Sequence, residues 1–504
     1  MGKAEFFRKM EDLGLALSYD NVRVKTGHSE YLPIHVDLLT KFSRNVPLKR
    51  PIVSAPMDTV TEHRMAIAMA KLGGLGIIHR KLSLAEQIHC VERVKFHLLG
   101  FVEKPICVNE NDTVEELLKR REEKEYSFHS FPVLNNEGNL VGVLTADDFD
   151  FCLDLKVKVS TIMSKNLVTG AKDISFEKAF QKMKENKKKL LPLLDKSNNI
   201  AGMYVWSDVK RTVAGNREGH NLDVSGRLRV GAAVGVGEEA LERVKQLSEK
   251  GVDVIVIDTA HGDSKSALWT LKEMKKLFSC DVVAGNISEP ESARRLADAG
   301  ADGIKVGQGP GSICTTRIVA GIGCPQATAV YNCVEAIKGT GIPICADGGI
   351  KYSGDITVAL AIGAESVMIG NLFAGTDEAP GEVIMKKGRP YKFYRGMGSL
   401  GAMQESAASR ERYGQAGQKT GKLVPEGIEG VVPYKGEVSL VFEQLVGGLS
   451  SGMGYVGAKD ICELFEKADF YRIDAAGLRE SHPHNVTITR EAPNYAAQIE
   501  EEEL

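Results

Sequence analysis

Eight short runs rich in valine, isoleucine and glycine recur along the chain, each ending in small or polar residues: Pro51–Met57, Leu75–Arg80, Arg229–Gly235, Val252–Thr259, Asp281–Asn286, Asp302–Gly309, Ile342–Gly349 and Ser366–Phe373. Their apolarity is continuous rather than alternating, so both faces of each strand are expected to be buried, as in a parallel sheet. Helical patterns lie between them, among them Glu238–Lys250, Glu289–Ala299 and Val330–Lys338. Eight βα units in order predict an α/β fold, a (β/α)8 TIM barrel, with a doubly wound open sheet as the alternative. Such a barrel can absorb ~250 residues or more. The chain has 504, so further domains are expected.

The largest interruption of the series falls between Arg80 and Arg229. Within it, Phe131–Asp148 matches Leu191–Asp208 at a constant offset, with Pro132/Pro192, Leu134/Leu194, Asn139/Asn199, Gly142/Gly202 and Asp148/Asp208 identical. Each copy reads as strand, turn, strand and acidic helix start, preceded by a helix at Val114–Lys124 or Phe176–Asn186. This is an internal duplication that resembles a tandem pair of cystathionine β-synthase (CBS, or Bateman) modules inserted into a barrel loop. The expected organisation is a first barrel segment at 1–91, the CBS pair at 92–212 (copies near 102–155 and 163–210), and a second barrel segment at 213–504. Insertion is tolerated where chain ends meet at a surface. The pair is read either as a structural appendage or as a sensor of an adenine or guanine nucleotide. A further segment, 403–436, has no helix or strand periodicity and is expected to be a mobile flap. The acidic tail 499–504 is expected to be solvated.

Composition narrows the function classes. A 43% hydrophobic, 26% charged chain with net charge −3 has no strong field to recruit nucleic acid or an anionic membrane. The start has no apolar core of a signal peptide, and the apolar stretches are too short to span a bilayer. Nine cysteines without paired metal spacing suit reduced thiols and a cytoplasmic location.

Three strand ends carry chemistry, because loops at strand C-termini build barrel active sites. The sixth run leads into Gly307-Gln-Gly-Pro-Gly-Ser-Ile-Cys314-Thr-Thr-Arg317. Its glycines let backbone groups face a ligand, and Cys314 stands where a nucleophile would. The seventh and eighth runs end in Ala346-Asp-Gly-Gly349 and Met368-Ile-Gly370-Asn371, the usual place of a barrel phosphate cradle. A rival signal is Gly235-Val-Gly237, which opens a helix about twenty residues before Asp258, as in a dinucleotide-binding fingerprint. It falls in the third unit rather than the first, so it is read as a barrel turn. Asp258 remains a pocket residue on either fold.

Together with Val53-Ser-Ala-Pro-Met57-Asp-Thr59, Tyr394-Arg-Gly-Met-Gly-Ser399, Arg412-Tyr413, Leu423-Val-Pro-Glu426-Gly and Glu480-Ser-His-Pro-His, these motifs make almost the whole chain resemble inosine-5′-monophosphate (IMP) dehydrogenase of the bacterial type. The resemblance implies a homotetrameric enzyme that oxidises IMP to xanthosine monophosphate (XMP) with NAD and water. Cys314 would attack C2 of the base, a hydride would leave for NAD, and water would hydrolyse the thioimidate. Arg412 and Tyr413 on the flap would serve the hydrolysis. The family gives Arg412 the role of base; a guanidinium is a poor one, so a relay through Thr316 and Glu426 is the alternative. Substrate contacts are implied for Ser54, Ser312, Asp347, Gly348, Gly349, Gly370, Asn371, Tyr394, Arg395, Gly396, Met397, Gly398 and Glu426. The cofactor is implied to contact Asp258, Gly307, Gln308 and Gly309. A monovalent cation, K+, would sit among carbonyls of Gly309, Gly311 and Cys314 and, from a neighbouring subunit, Glu480, Ser481 and His482. Gln308 replaces an aliphatic residue of the family and Asn371 a serine. The related GMP reductases run a reductive deamination with NADPH and generally lack both the insert and the Arg-Tyr flap.

Overall fold

Each of the eight apolar runs supplies one strand of a closed parallel barrel: Ile52–Ser54, Leu75–Ile78, Gly231–Val234, Val254–Asp258, Asp281–Ile287, Gly303–Val306, Ile344–Asp347 and Ser366–Ile369. The computed structural model describes residues 2–495 except 100, 103–104, 124–129, 146–147, 149–151, 153, 208, 211–216, 419 and 491. Strands pair with their neighbours in chain order. The ring closes through Val367↔Ile52, and the second strand meets the third through Ile77↔Gly231 across the long interruption. Except for Asp347, every residue of these strands is buried, which is the two-sided burial that continuous apolarity demands.

Helices surround the strands. Glu238–Glu249 buries Ala240, Leu241, Val244 and Leu247 along one stripe, the spacing of an amphipathic helix. The helix expected from Val330 begins earlier, at Gln326. Pro325 precedes it with φ −52°, and Gln326, Ala327 and Ala329 are buried in its first turns, so the helix starts where proline ends the preceding loop. A hairpin, Thr40–Ser43 with Val46–Leu48, covers the N-terminal end of the barrel, where Phe42 and Leu48 join the core formed by Val53, Leu75, Val254 and Val283. The catalytic possibilities are thereby left to the opposite end. Among the described residues, no helix is long and apolar enough to cross a membrane, and the nine cysteines are free thiols.

Segment 403–436 is more ordered than its sequence suggests. It contains the end of a helix, Leu400–Glu405, a second helix, Ala407–Arg412, a 3-10 turn, Thr420–Lys422, and a strand, Glu429–Pro433. The strand pairs with Arg389–Arg395, itself paired with Val383–Lys386. Six-residue helices are too short to show a 3.6-residue period and owe their stability to tertiary contacts.

By contacts, the chain divides into residues 1–95 with 217–504, and residues 96–216. The second unit has two sheets. Val108–Asn109, Phe131–Leu134 and Leu140–Leu144 form one; Gly170–Ala171, Leu190–Leu194 and Ile200–Val205 form the other, completed by Phe101–Val102 from the start of the unit. Residues at equivalent positions of the two copies fill equivalent places: Phe131, Val133 and Leu144 in one core, Leu191, Leu193 and Tyr204 in the other. Asn139 and Asn199, also equivalent, bridge to each other in antiparallel fashion, as expected where two copies meet about a local two-fold axis. Lys124 and Asp208, the junction at 212–213 and the tail 499–504 lie outside the described residues.

Candidate active site

A cavity of about 400 Å³ opens at the C-terminal ends of the barrel strands. The loop after the sixth strand turns tightly, with Cys314 N–H donating to the Gly311 carbonyl at 3.0 Å. Its far side is clamped to the stem of the flap: Thr315 N–H donates to the Glu426 carbonyl and Ile428 N–H to the Ile313 carbonyl, both at 3.0 Å. This brings three side chains into line. The Cys314 thiol donates to Thr316 Oγ1 at 3.2 Å, and that hydroxyl donates to Glu426 Oε2 at 2.8 Å. A thiol that must become a thiolate to attack thus has a hydrogen-bonded path to a carboxylate.

The phosphate-cradle residues gather beside it. Asn371 Nδ2 donates to Ser312 Oγ at 3.1 Å, and Ser312, Gly348, Gly349, Gly370, Tyr394, Gly396 and Met397 line the same cavity. Burial pushes the Tyr394 phenol well above its ordinary value, so it remains a hydrogen-bond donor. On the other side, Asp347 Oδ2 accepts from Lys305 Nζ at 2.5 Å and Asn286 Nδ2 at 2.9 Å. Asp258, only 2% exposed, lies 3.5 Å from the same ammonium.

The flap lies over this arrangement. The Arg412 guanidinium pairs with Asp258, and Ala260 N–H donates to the Arg412 carbonyl at 3.2 Å. Burial lowers the pKa of the guanidinium below its ordinary value. Arg412 Nε is buried without a hydrogen-bond partner, and Asp258 Oδ1 has only the Lys305 ammonium at 3.5 Å, so the pair is not fully hydrogen-bonded inside the cleft. Gln308 links two neighbouring loops, accepting from Ser288 Oγ at 2.8 Å and donating to the Ala260 carbonyl at 3.0 Å.

Cys314, Thr316, Glu426, Arg412, Tyr413, Asp258, Gly307, Gln308, Gly309 and Gly311 therefore meet in one cleft with the cradle and Asp347. Six expected residues do not line it. Val53 and Ala55 both face the barrel core, so strand alternation turns Ser54 the other way, where its hydroxyl accepts from Thr61 Oγ1 at 2.9 Å. The same alternation separates Tyr394 from Arg395. The Arg395 guanidinium instead holds Asp58 and Glu405, each with a 2.7 Å contact. Gly398 is a place of close approach rather than a cavity wall, since a Cβ there would lie 2.5 Å from the Tyr413 ring. Glu480, Ser481 and His482 end the helix Ala475–Glu480 and its following turn, and His482 Nδ1 lies 3.0 Å from the Tyr495 hydroxyl.

Among the residues of the cleft that escaped the sequence reading are Lys305 and Asn286. Lys305 carried a signal, a lone charge inside an otherwise apolar strand-forming run. Its side chain is almost fully buried and faces two carboxylates. Removing one member of a buried ionic cluster leaves the others uncompensated and costs about 3 kcal/mol or more. Lys305→Met is accordingly expected to lower the free energy of unfolding, read from urea titration, by that order, and a loss below about 0.5 kcal/mol would contradict this account.

A closed parallel barrel that gathers a cysteine, glycine-rich strand ends and an arginine–tyrosine pair in one cleft at its C-terminal rim has the architecture of a (β/α)8 enzyme. The family model described as IMP dehydrogenase / GMP reductase domain matches residues 16–484, and the chain belongs to this family. A relative from Aquifex aeolicus named inosine-5′-monophosphate dehydrogenase is 52% identical over 484 residues, covering 95% of this chain and 97% of the relative. One of the same name from Bacillus subtilis is 46% identical over 486 residues, with 95% and 97% covered. A crystal structure of GMP reductase from Trypanosoma brucei, in complex with guanosine 5′-monophosphate, superposes with a TM-score of 0.82 at 40% identity, covering 95% of this chain and all of that one. The unmatched twentieth of the chain is far shorter than residues 96–216, so that reductase has a counterpart to most of the insert. For this reductase, then, the insert by itself does not separate the two activities, an exception to the general pattern that the resemblance implies.

Proposed function

We propose that this chain is an NAD-dependent IMP dehydrogenase. The observation that carries the reading is the Cys314–Thr316–Glu426 line under a flap that places Arg412 and Tyr413 in the same cleft. Tyr394, Ser312, Asn371 and the Gly349 and Gly370 amides hold the substrate phosphate. Asp347, paired with Lys305, accepts from the ribose hydroxyls; a carboxylate is an acceptor only and would repel the phosphate. Met397 and Glu426 border the base. Glu426 receives the thiol proton through Thr316, the thiolate adds to C2 of the hypoxanthine, and a hydride is expelled as the C2–S bond becomes a thioimidate. NAD supplies the hydride acceptor, and the unmet polar capacity of Asp258 suits its ribose hydroxyls. Water then adds to C2, the C–S bond breaks, and XMP leaves. The balance is IMP, NAD+ and water giving XMP, NADH and a proton. Closing the flap excludes bulk water during this second half. The charged Arg412 stabilises the developing anion better than it removes a proton, so the same Thr316–Glu426 line is the route for the water proton. Glu426 first releases the thiol proton to solvent while the flap is open; the water proton then returns along that line to the thiolate as the C–S bond breaks.

A K+ ion would be held by carbonyls of the turn at Gly309, Gly311 and Cys314, since weakly hydrated cations suit carbonyl rings. Glu480, Ser481 and His482 of a neighbouring copy would complete it, which ties the ion to a homotetramer. Ile318, 88% exposed beside the cysteine loop, and Val486, 70% exposed, are apolar surface that such an assembly would cover. The reading places the enzyme in the cytoplasm. The insert is a CBS pair sensing an adenine or guanine nucleotide. Residues up to Lys95 belong to the barrel, because its buried ammonium contacts Asp223 at 3.0 Å and Asp253 at 2.5 Å. Excising 97–216 with a short linker is expected to leave turnover largely intact; a folded but inactive product would refute that division of labour.

The deciding experiment follows absorbance of the nicotinamide after mixing the protein with IMP, NAD and K+, with GMP and NADPH in parallel. NADH formation from IMP alone is expected. NADPH consumption with GMP would make the chain a reductase, the reading favoured by its likeness to the Trypanosoma brucei structure.

A further inference from the structure

The Gly235-Val236-Gly237 turn, which looks in sequence like part of a dinucleotide site, holds a carboxylate of the protein itself. Val236 N–H donates to Glu411 Oε1 at 3.2 Å, and Arg80 Nη1 approaches Glu411 Oε2 at 3.2 Å. Arg80 is 7% exposed and its other terminal nitrogen donates to the Ala408 carbonyl at 2.9 Å, so one buried guanidinium grips both ends of the helix Ala407–Arg412. The lack of a side chain at 235 is part of the fit: a Cβ there would collide with Arg80 Nη1 and lie 2.6 Å from Glu411 Oε1.

We propose that Arg80 and the Gly235-Val236 turn form a latch for Glu411 that holds the flap closed, making Glu411 a positioning residue that acts through its neighbour Arg412. The latch lies on the barrel rim, while Arg412, the next residue, covers Asp258. Docking Glu411 therefore sets how often Arg412 occupies the position that the reading above gives to the cofactor. Apparent affinity for a ligand falls with the fraction of protein in the competent state, so a firm latch weakens cofactor binding and favours the hydrolytic half of the cycle. Weakening the latch reverses both.

This inference rests on the dehydrogenase reading, and two variants test it. Glu411→Gln keeps the shape but removes the charge facing Arg80. Gly235→Ala fills the cradle, and because the atoms it meets are the far ends of two long side chains, the barrel can accept the methyl. NAD is titrated into each XMP-bound protein, in which no turnover occurs, and steady-state turnover is measured with IMP and NAD. Both variants are expected to bind NAD roughly three- to tenfold more tightly and to turn over roughly three- to tenfold more slowly. A merely structural lesion would weaken NAD binding. Unchanged or weaker NAD binding by Glu411→Gln, or unchanged turnover, overturns the latch; if Gly235→Ala does not fold, Glu411→Gln decides alone. Failure of the unmodified protein to bind XMP and NAD would instead overturn the dehydrogenase reading.

Discussion

Cys314→Ala is expected to bind IMP and form no NADH. The side chain supplies the only bond through which C2 can become tetrahedral and expel a hydride, and neither Thr316 nor Glu426 is a substitute, because a neutral hydroxyl and a carboxylate are far weaker carbon nucleophiles than a thiolate. The cradle is untouched, since in the proposed mechanism Ser312, Asn371 and Tyr394 hold the phosphate without the sulfur. Nucleotide affinity should therefore change by less than about tenfold while turnover drops below ~1%. Binding is checked by titration calorimetry and turnover by absorbance. Residual activity above that level would remove Cys314 from the covalent role.

Arg412→Ala should split the reaction in two. Hydride transfer requires the cofactor in the cleft, hence the flap away from Asp258, so the first turnover should form NADH with the amplitude of the unmodified protein. The following hydrolysis loses the buried cation beside the thioimidate, and removing such a charge typically costs about 10²- to 10³-fold in rate. Rapid mixing should show a burst followed by a slow phase, with the nucleotide accumulating on Cys314 as a mass increase of the intact chain. A lost burst would place Arg412 in hydride transfer instead. Lysine at this position keeps the charge but loses the planar fork that faces Asp258, so Arg412→Lys should recover only part of the slow phase.

The barrel was legible because its information is local. A strand buried on both faces is mostly apolar at successive positions, and the eight runs follow this, with Lys305 the charged exception inside the sixth. The cleft was legible wherever a loop motif exposes backbone and small side chains, as at Cys314 and Gly349. It was not legible where direction matters: Tyr394 and Arg395 are adjacent in one motif, yet strand pleating sends them to opposite sides. The Arg395 cluster shows where the second went. Burial tends to raise the pKa of the Asp58 carboxyl, but hydrogen bonds from Arg395 and Lys81 outweigh it and hold it below the ordinary value, while Arg395 and Lys81 draw the pKa of Glu405 down to about 2. Asp58 and Lys81, more than three hundred residues before Arg395, leave no spacing to read. The Gly235 turn illustrates the opposite difficulty: its spacing reads as a barrel turn that happens to match a dinucleotide fingerprint, and nothing in that spacing signals that the missing side chain at Gly235 leaves room for the Glu411 carboxylate.

The pairing of Phe101–Val102 with Met203–Tyr204 bears on how the chain can fold at all. The second and third barrel strands must find each other, Ile77 beside Gly231, across the longest excursion in the ring. Once the two ends of the excursion are zipped together, the free loop between those strands is roughly a third as long, which recovers about 0.7–1 kcal/mol of closure entropy and lowers the effective contact order. Early formation of the duplicated unit would thus act as a local splint, making the barrel's second and third strands near neighbours before they touch.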